Sequence, residues 1–182
     1  MTGGTRLAAL AATAFLAAPA AAGVVAPIAL APPASQLAYT VFAFGLIPIN
    51  ASFQDFTGTL TLDPGQPQSC QVHLTVRVAS LRMADPDRSR QALGPAMLDA
   101  AHYPTMHFDG HCAGPSLVGQ LTLHGVTRPL IMAVQRDGEH VVATGVLQRR
   151  DYAIAGLPGL VGQRVRFRLN APLPPIAAGA EP

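Results

Sequence analysis

The 182-residue chain has 12 arginines and no lysine against eight aspartates and two glutamates, a net charge of +2 with 12% charged residues. So weak a charge excludes a polyelectrolyte surface for DNA or RNA, and 49% hydrophobic residues exclude intrinsic disorder. The length predicts one domain, and 17 Gly, 17 Pro and no Trp predict a turn-rich fold with an aliphatic core.

In chain order, residues 1–22 read as an export signal. Met1 to Arg6 form a short charged start, Leu7 to Ala18 an apolar run, and Ala20-Ala21-Ala22 a small-residue cleavage pattern. The run is shorter than the roughly 20 residues of a membrane span. Cleavage after Ala22 is expected, leaving a periplasmic or secreted protein. Residues 23–34, with Pro27 to Pro33, read as a Pro/Ala-rich leader, residues 35–171 as the folded domain, and residues 172–182 as a flexible tail.

From Ser35 onward the pattern is period two. Cys70, Val72, Leu74, Val76 and Val78 alternate with Gln71, His73, Thr75 and Arg77, and Val165, Phe167 and Leu169 alternate with Arg164, Arg166 and Arg168. One apolar and one polar face is the mark of antiparallel sheet. The remaining strands are expected at Gln36–Phe44, Phe53–Asp63, Thr105–Cys112, Leu117–His124, Arg128–Arg136 and Glu139–Gln148. Asp63-Pro64-Gly65, Gly114-Pro115-Ser116, His124-Gly125 and Asp137-Gly138 separate them, the last a type I′ hairpin signal. Eight strands with one apolar face predict an all-β fold, an eight-stranded antiparallel up-and-down barrel. Between the third and fourth strands, Leu93, Met97, Leu98 and Ala101 fall at helical spacing within Asp87–Ala101, so a short helix is expected there, interrupted at Gly94-Pro95. Gly58, Gly110, Gly119 and Gly145 take inward positions, where glycine either relieves the coiling of a barrel or leaves volume unfilled; with no Trp and few aromatics, a lumen open for a small ligand is favoured.

Cys70 and Cys112 share inward parity on neighbouring strands, and in an exported protein they are expected to form a disulfide. Direct pairing sets the register so that opposed numbers sum to 182. His73 then faces Asp109 and Thr75 faces His107. His73, His107, Asp109 and His111 share the outer face and are the candidate ligands for a Zn²⁺ or Cu²⁺ ion, although a solvated polar face explains them as well. Arg164, Arg166 and Arg168, extended by Arg149-Arg150, form a basic stripe suited to solvent or to anionic lipid headgroups. No G-x-S-x-G, H-E-x-x-H, C-x-x-C or phosphate-loop pattern occurs, so nothing calls for enzymatic activity.

Several stretches together resemble the YceI-like family of periplasmic lipid-binding proteins. Leu121-Thr122-Leu123-His124-Gly125-Val126-Thr127-Arg128-Pro129-Leu130 is close to the family's L-T-L-H-G-V-T-K-P signature. Met97 to Phe108, through Tyr103-Pro104-Thr105-Met106, resembles its helix-to-strand junction. Ser35 to Val41, Gly45-Leu46 and Phe53 to Gly58 follow its first hairpin, and Arg150-Asp151-Tyr152 with Val161-Gly162 is similar to its R-x-D-F region. The chain departs from the pattern at Ala43, at Ala51 and over Arg88–Leu93, around the mouth and the helix.

The resemblance implies a lipocalin-like barrel whose apolar tunnel holds a long polyisoprenoid, either a quinone or a prenyl phosphate. The ligand-lining set it implies is Leu37, Tyr39, Val41, Leu74, Val76, Met97, Leu98, Met106, Phe108, Leu121, Leu123, Met132, Val134, Phe167 and Leu169. His124 is the candidate headgroup contact, or else sets its hairpin. The expected function is that of an exported carrier with no required cofactor, its partners being the isoprenoid lipid, transiently a membrane surface or membrane redox protein, and no nucleic acid, as monomer or homodimer. The alternatives are an enzyme acting on a lipid headgroup and an outer-face metal module.

Overall fold

The computed structural model describes residues 27–63 and 66–173. The expected export segment at residues 1–22 and residues 174–182 of the expected tail lie outside them. Pro172 and Leu173, read as tail, instead continue the fold, Pro172 ending the last strand and Leu173 N–H bonding to Glu139 O (2.7 Å). The described residues form eleven strands and one α-helix. The strands are β1 (Ile28–Leu30), β2 (Gln36–Ala43), β3 (Ile47–Phe53), β4 (Phe56–Asp63), β5 (Gln66–Arg77), β6 (Leu81–Arg82), β7 (Thr105–Ala113), β8 (Ser116–Leu123), β9 (Val126–Asp137), β10 (His140–Gln148) and β11 (Val161–Pro172). The helix is α1 (Pro86–Leu93). All strands belong to one antiparallel sheet in the order β1-β4-β5-β7-β8-β9-β10-β11-β2-β3-β6.

This is a strongly curled half-barrel rather than the expected closed barrel of eight strands. The eight expected strands are present, and β1, β3 and β6 are additional. Ile28–Leu30, inside the segment read as a leader, pairs with Gly58–Leu60 of β4, and Leu30 is buried. β3 carries Pro48, which argues against a strand by sequence alone but is accommodated where β3 pairs with β2. β6 is two residues long and leaves no pattern. Closure fails for a topological reason. β3 and β4 are consecutive in the chain but not neighbours in the sheet, and the end of β3 pairs instead with Leu81 and Arg82. Single backbone bonds, Gln54 N–H to Ser80 O (3.2 Å) and Arg77 N–H to Asp55 O (3.0 Å), stitch the seam.

The period-two reading holds strand by strand. Along β5, Cys70, Val72, Leu74 and Val76 are buried while Gln71, His73, Thr75 and Arg77 are exposed. Burying a large aliphatic side chain stabilises by about 1.5–3 kcal/mol, so a one-residue slip of this strand would forfeit several such terms together.

α1 is shorter than the expected Asp87–Ala101. Asp85 caps it, its carboxylate accepting from the N–H groups of Asp87 (2.8 Å) and Arg88 (3.4 Å), and Pro86 fits the first turn, where its missing N–H costs nothing. Gly94-Pro95 ends it. Residues 95–98 continue as turns in which Leu98 N–H reaches Ala92 O and Ala100 N–H reaches Leu93 O. At the hairpins, His124 (φ 51°) and Gly125 (φ 73°) both take left-handed conformations, as a two-residue type I′ loop requires. The expected Asp137-Gly138 turn lies one residue later. Asp137 still pairs with His140, and only Gly138 has positive φ, the II′ pattern.

Candidate functional site

The concave face of the sheet lines a partly open cavity of about 140 Å³. Of the fifteen side chains named above, all but Val134 stand in its wall: Leu37, Tyr39 and Val41 from β2, Leu74 and Val76 from β5, Met106 and Phe108 from β7, Leu121 and Leu123 from β8, Met132 from β9, Phe167 and Leu169 from β11, and Met97 and Leu98 from the turns after α1. Val134 has the same parity as Met132 but packs against the core outside the cavity wall. Phe53, Val72, Leu130 and Val165 also line the cavity, as do Ala92, Leu147, Ile154 and Val161.

The inward glycines do not leave space open, contrary to the sequence reading. A Cβ on Gly119 would lie 2.6 Å from the Phe108 ring, one on Gly110 2.7 Å from it, and one on Gly145 2.9 Å from Met132 and against the ring of Phe167. At Gly110, Gly119 and Gly145 the missing Cβ instead leaves room for a neighbouring aromatic ring, the coil-relieving reading of glycine in a curled sheet, while Gly58 abuts the His73 carbonyl and Leu74. The cavity is therefore what remains between Phe108, Phe167 and the methionines.

Toward one end the core packs outside the cavity wall. Cys70 and Cys112 form a disulfide with a Cα–Cα distance of 4.9 Å. Across the ladder Leu62 opposes Cys70, and Leu117 opposes Cys112 and Met132. The opposite end is built from irregular chain: the turns after α1 and the segment between β10 and β11. His124 belongs to this end but not to the cavity wall. Its ring stacks on Tyr103 (centroids 4.3 Å apart), its Nδ1 lies 3.1 Å from Tyr152 O, and its Nε2 is buried without a partner. Gly125 is required twice, by its positive φ and because a Cβ would lie 2.6 Å from the Tyr103 ring. His124 thus fastens the β8–β9 hairpin to the loops beside it.

Arg149 is the charged cavity residue that sequence reasoning missed. Read as part of an outer basic stripe, it is only 3% exposed and lies in the cavity wall. It opens a 3-10 turn, Arg149–Tyr152, that ends with Ala153 in a left-handed conformation, so the chain folds back over it. Its guanidinium donates to the carbonyls of Val161 (3.3 Å), Gly162 (3.4 Å) and Gly156, and approaches Met97 Sδ at 3.5 Å, while Nε–H has no partner among the described residues. Burial pulls its pKa below the usual arginine value, with nearby Tyr39 opposing that shift. Burial likewise pushes the Tyr39 hydroxyl up to about 12, against the pull of Arg149, so the phenol stays protonated at neutral pH.

The outer face follows the expected register, His73 opposite Asp109 and Thr75 opposite His107. The groups are used as pairs, however. His73 Nδ1 donates to Asp109 (2.7 Å), and the two ring nitrogens of His107 sit 3.1 Å from Thr75 Oγ1 and 3.0 Å from Thr105 Oγ1. Among the described residues no three His, Cys, Asp or Glu side chains are gathered as a metal site, His111 included.

A YceI-like domain model matches residues 29–173. A UPF0312 protein of Pseudomonas savastanoi pv. phaseolicola is 28% identical over 138 residues, covering 67% of this chain and 71% of that protein. A UPF0312 protein of Yersinia pestis is 29% identical over 134 residues, covering 65% and 70%. Among solved structures, Burkholderia cenocepacia BcnA superposes with a TM-score of 0.62 at 21% identity, covering 75% of this chain and 94% of that one. A polyisoprenoid binding domain from Saccharophagus degradans superposes with a TM-score of 0.55 at 16% identity, covering 78% and 95%. The curled sheet, its apolar cavity and the match over nearly all the described residues lead to one assignment: the chain belongs to the YceI-like family.

Proposed function

We propose that this protein is an exported carrier that holds the tail of an isoprenoid lipid in the cavity, by reversible noncovalent burial and without a cofactor. The observation that carries the reading is the wall itself, aliphatic, aromatic and thioether almost throughout. The disulfide supports an oxidising compartment. The Saccharophagus domain, described as polyisoprenoid-binding, supports the choice of ligand.

Magnitudes constrain how the tail is held. The cavity, at about 140 Å³, is the size of one that holds a benzene ring, so the wall as it stands admits about one isoprene unit. Five carbons at about 0.8 kcal/mol each gain roughly 4 kcal/mol, which only offsets the low end of the cost of association. A long tail binds well only by pushing wall residues aside. Met97, Met106 and Met132, unbranched and adaptable, are the side chains suited to yield.

Delivery requires contact with a membrane. Phe44, Leu46 and Ile47 at the β2–β3 tip are 65%, 83% and 55% exposed, and Phe44 N–H bonds to the carbonyl of exposed Leu160 (2.9 Å). This apolar knob adjoins Val161 at the loop end of the cavity, and Arg164, Arg166 and Arg168 stand exposed along β11. Apolar insertion beside a basic stripe fits an anionic bilayer.

The test is mass spectrometry of lipid extracted from protein purified without detergent. A stoichiometric polyisoprenoid is expected, lost in Met132→Trp, which fills the cavity, and kept in Val134→Trp, whose side chain lies outside the wall. A protein that arrives empty and takes up neither added quinones nor prenyl phosphates refutes the carrier reading.

A further inference from the structure

The cavity wall contains a buried cation with no counter-ion among the described residues. The described arginine–carboxylate pairs are Arg77–Asp55, Arg88–Asp85, Arg90–Asp87 and Arg150–Asp151, all with both side chains substantially exposed. Arg149 has none. Three carbonyl dipoles hold its terminal nitrogens, but they do not cancel its charge, and Nε–H remains an unused donor. A buried charge is costly unless paired, and arginine is the side chain suited to paired recognition of phosphate and carboxylate. Tyr39, on the same wall, supplies a hydroxyl that stays protonated through neutral pH. The rest of the wall is apolar apart from His107, whose ring nitrogens are engaged by threonines.

Building on the carrier reading, we propose that Arg149, assisted by Tyr39, is the headgroup pole of the cavity and selects ligands whose head is anionic. The shared chemistry is a terminal oxyanion, from a phosphate monoester or a carboxylate. The charge of Arg149 lies at the loop end, so the head stops there while the tail runs between Phe108, Met132 and Phe167.

Three ligands with one C20 tail test this by titration calorimetry on lipid-stripped protein: geranylgeranyl phosphate, geranylgeranoic acid and geranylgeraniol. A hydrogen-bonded charge in such a site is expected to favour at least one of the two anions over the alcohol by about 10- to 100-fold. Phosphate ahead of acid identifies a lipid phosphate as the cargo class, and acid at or ahead of phosphate a carboxylate. Arg149→Met should abolish the preference while leaving alcohol affinity within about threefold, and Arg149→Lys should keep part of it. Melting curves check each variant's fold. If Arg149→Met does not fold, the wild-type ratios and Arg149→Lys decide. Wild-type protein that binds alcohol as tightly as both anions, or an anion preference that survives in folded Arg149→Met, overturns the assignment. Failure of all three ligands to bind overturns the carrier reading instead.

Discussion

Removing the disulfide should lower stability by an amount the chain itself sets. Cys70 and Cys112 are 42 residues apart, so the crosslink closes a loop of that length in the unfolded state. The loop-closure relation gives an entropy loss of about 13 cal/mol/K, or about 4 kcal/mol at 25 °C. For a domain of this size each kcal/mol shifts the melting temperature by roughly 2–4 °C, so a fall of about 8–16 °C is expected. Urea titrations of the Cys70→Ala/Cys112→Ala variant and of reduced wild-type protein separate the crosslink from lost packing, since only the variant removes the buried sulfurs. Both should show a steeper urea dependence than the oxidised protein, because an uncrosslinked unfolded chain exposes more surface. A loss under about 1 kcal/mol in both samples would refute the reasoning, showing that β5 and β7 hold their register without the bond.

Three other outcomes can be checked. Gly119→Ala places a methyl against the Asp109 carbonyl and the Phe108 ring, and is expected to cost about 1–3 kcal/mol in chemical unfolding; an unchanged midpoint contradicts the ring-over-glycine packing. Tyr39 ionises near pH 10 unfolded but only at about 12 folded, so in that window the unfolded chain holds fewer protons and stability falls as pH rises, by about 3 kcal/mol in total. Stability below pH 10 should be insensitive to this group, and Tyr39→Phe should flatten the alkaline fall, leaving the smaller contribution of Tyr152, which burial also raises. Phe44→Ser/Leu46→Ser should leave the melting temperature within a few degrees but reduce sedimentation with anionic vesicles severalfold; unchanged sedimentation removes the apolar tip from the membrane contact.

The parts of this molecule legible in its sequence were those governed by local period. The alternation from Cys70 to Val78 gave the buried face of β5, and two cysteines of one parity gave its register against β7, confirmed by His73 opposite Asp109. The lining set that the resemblance implied, Leu74, Val76, Phe108 and Met132 among it, likewise gathers around one cavity. What was not legible depends on contacts between distant segments. The two-residue β6 exists because Leu81 and Arg82 meet the end of β3, and this seam, invisible in either segment, decides between a closed barrel and an open ladder. Glycine at an inward position says nothing of the ring that will cover it. Arg149 follows the last residue of a strand, where parity ends and an arginine ordinarily reads as solvent-facing. It is buried because the segment carrying Gly156 and Val161 folds across it and supplies the carbonyls it bonds.

If the cavity carries a lipid as proposed, its unequal ends would impose an order on traffic. At one end β5 and β7 are covalently fastened across Cys70 and Cys112, and at the other there are only turns held by Arg149 and His124. With its head at Arg149, such a lipid would enter by the free terminus of its tail and leave head leading. A recipient therefore meets the head before any of the tail is wetted, and the tail is paid out a few carbons at a time into whatever surface has already engaged the head. Transfer of this kind never requires the whole chain to cross water at once, which is the step that makes free diffusion of such lipids so slow.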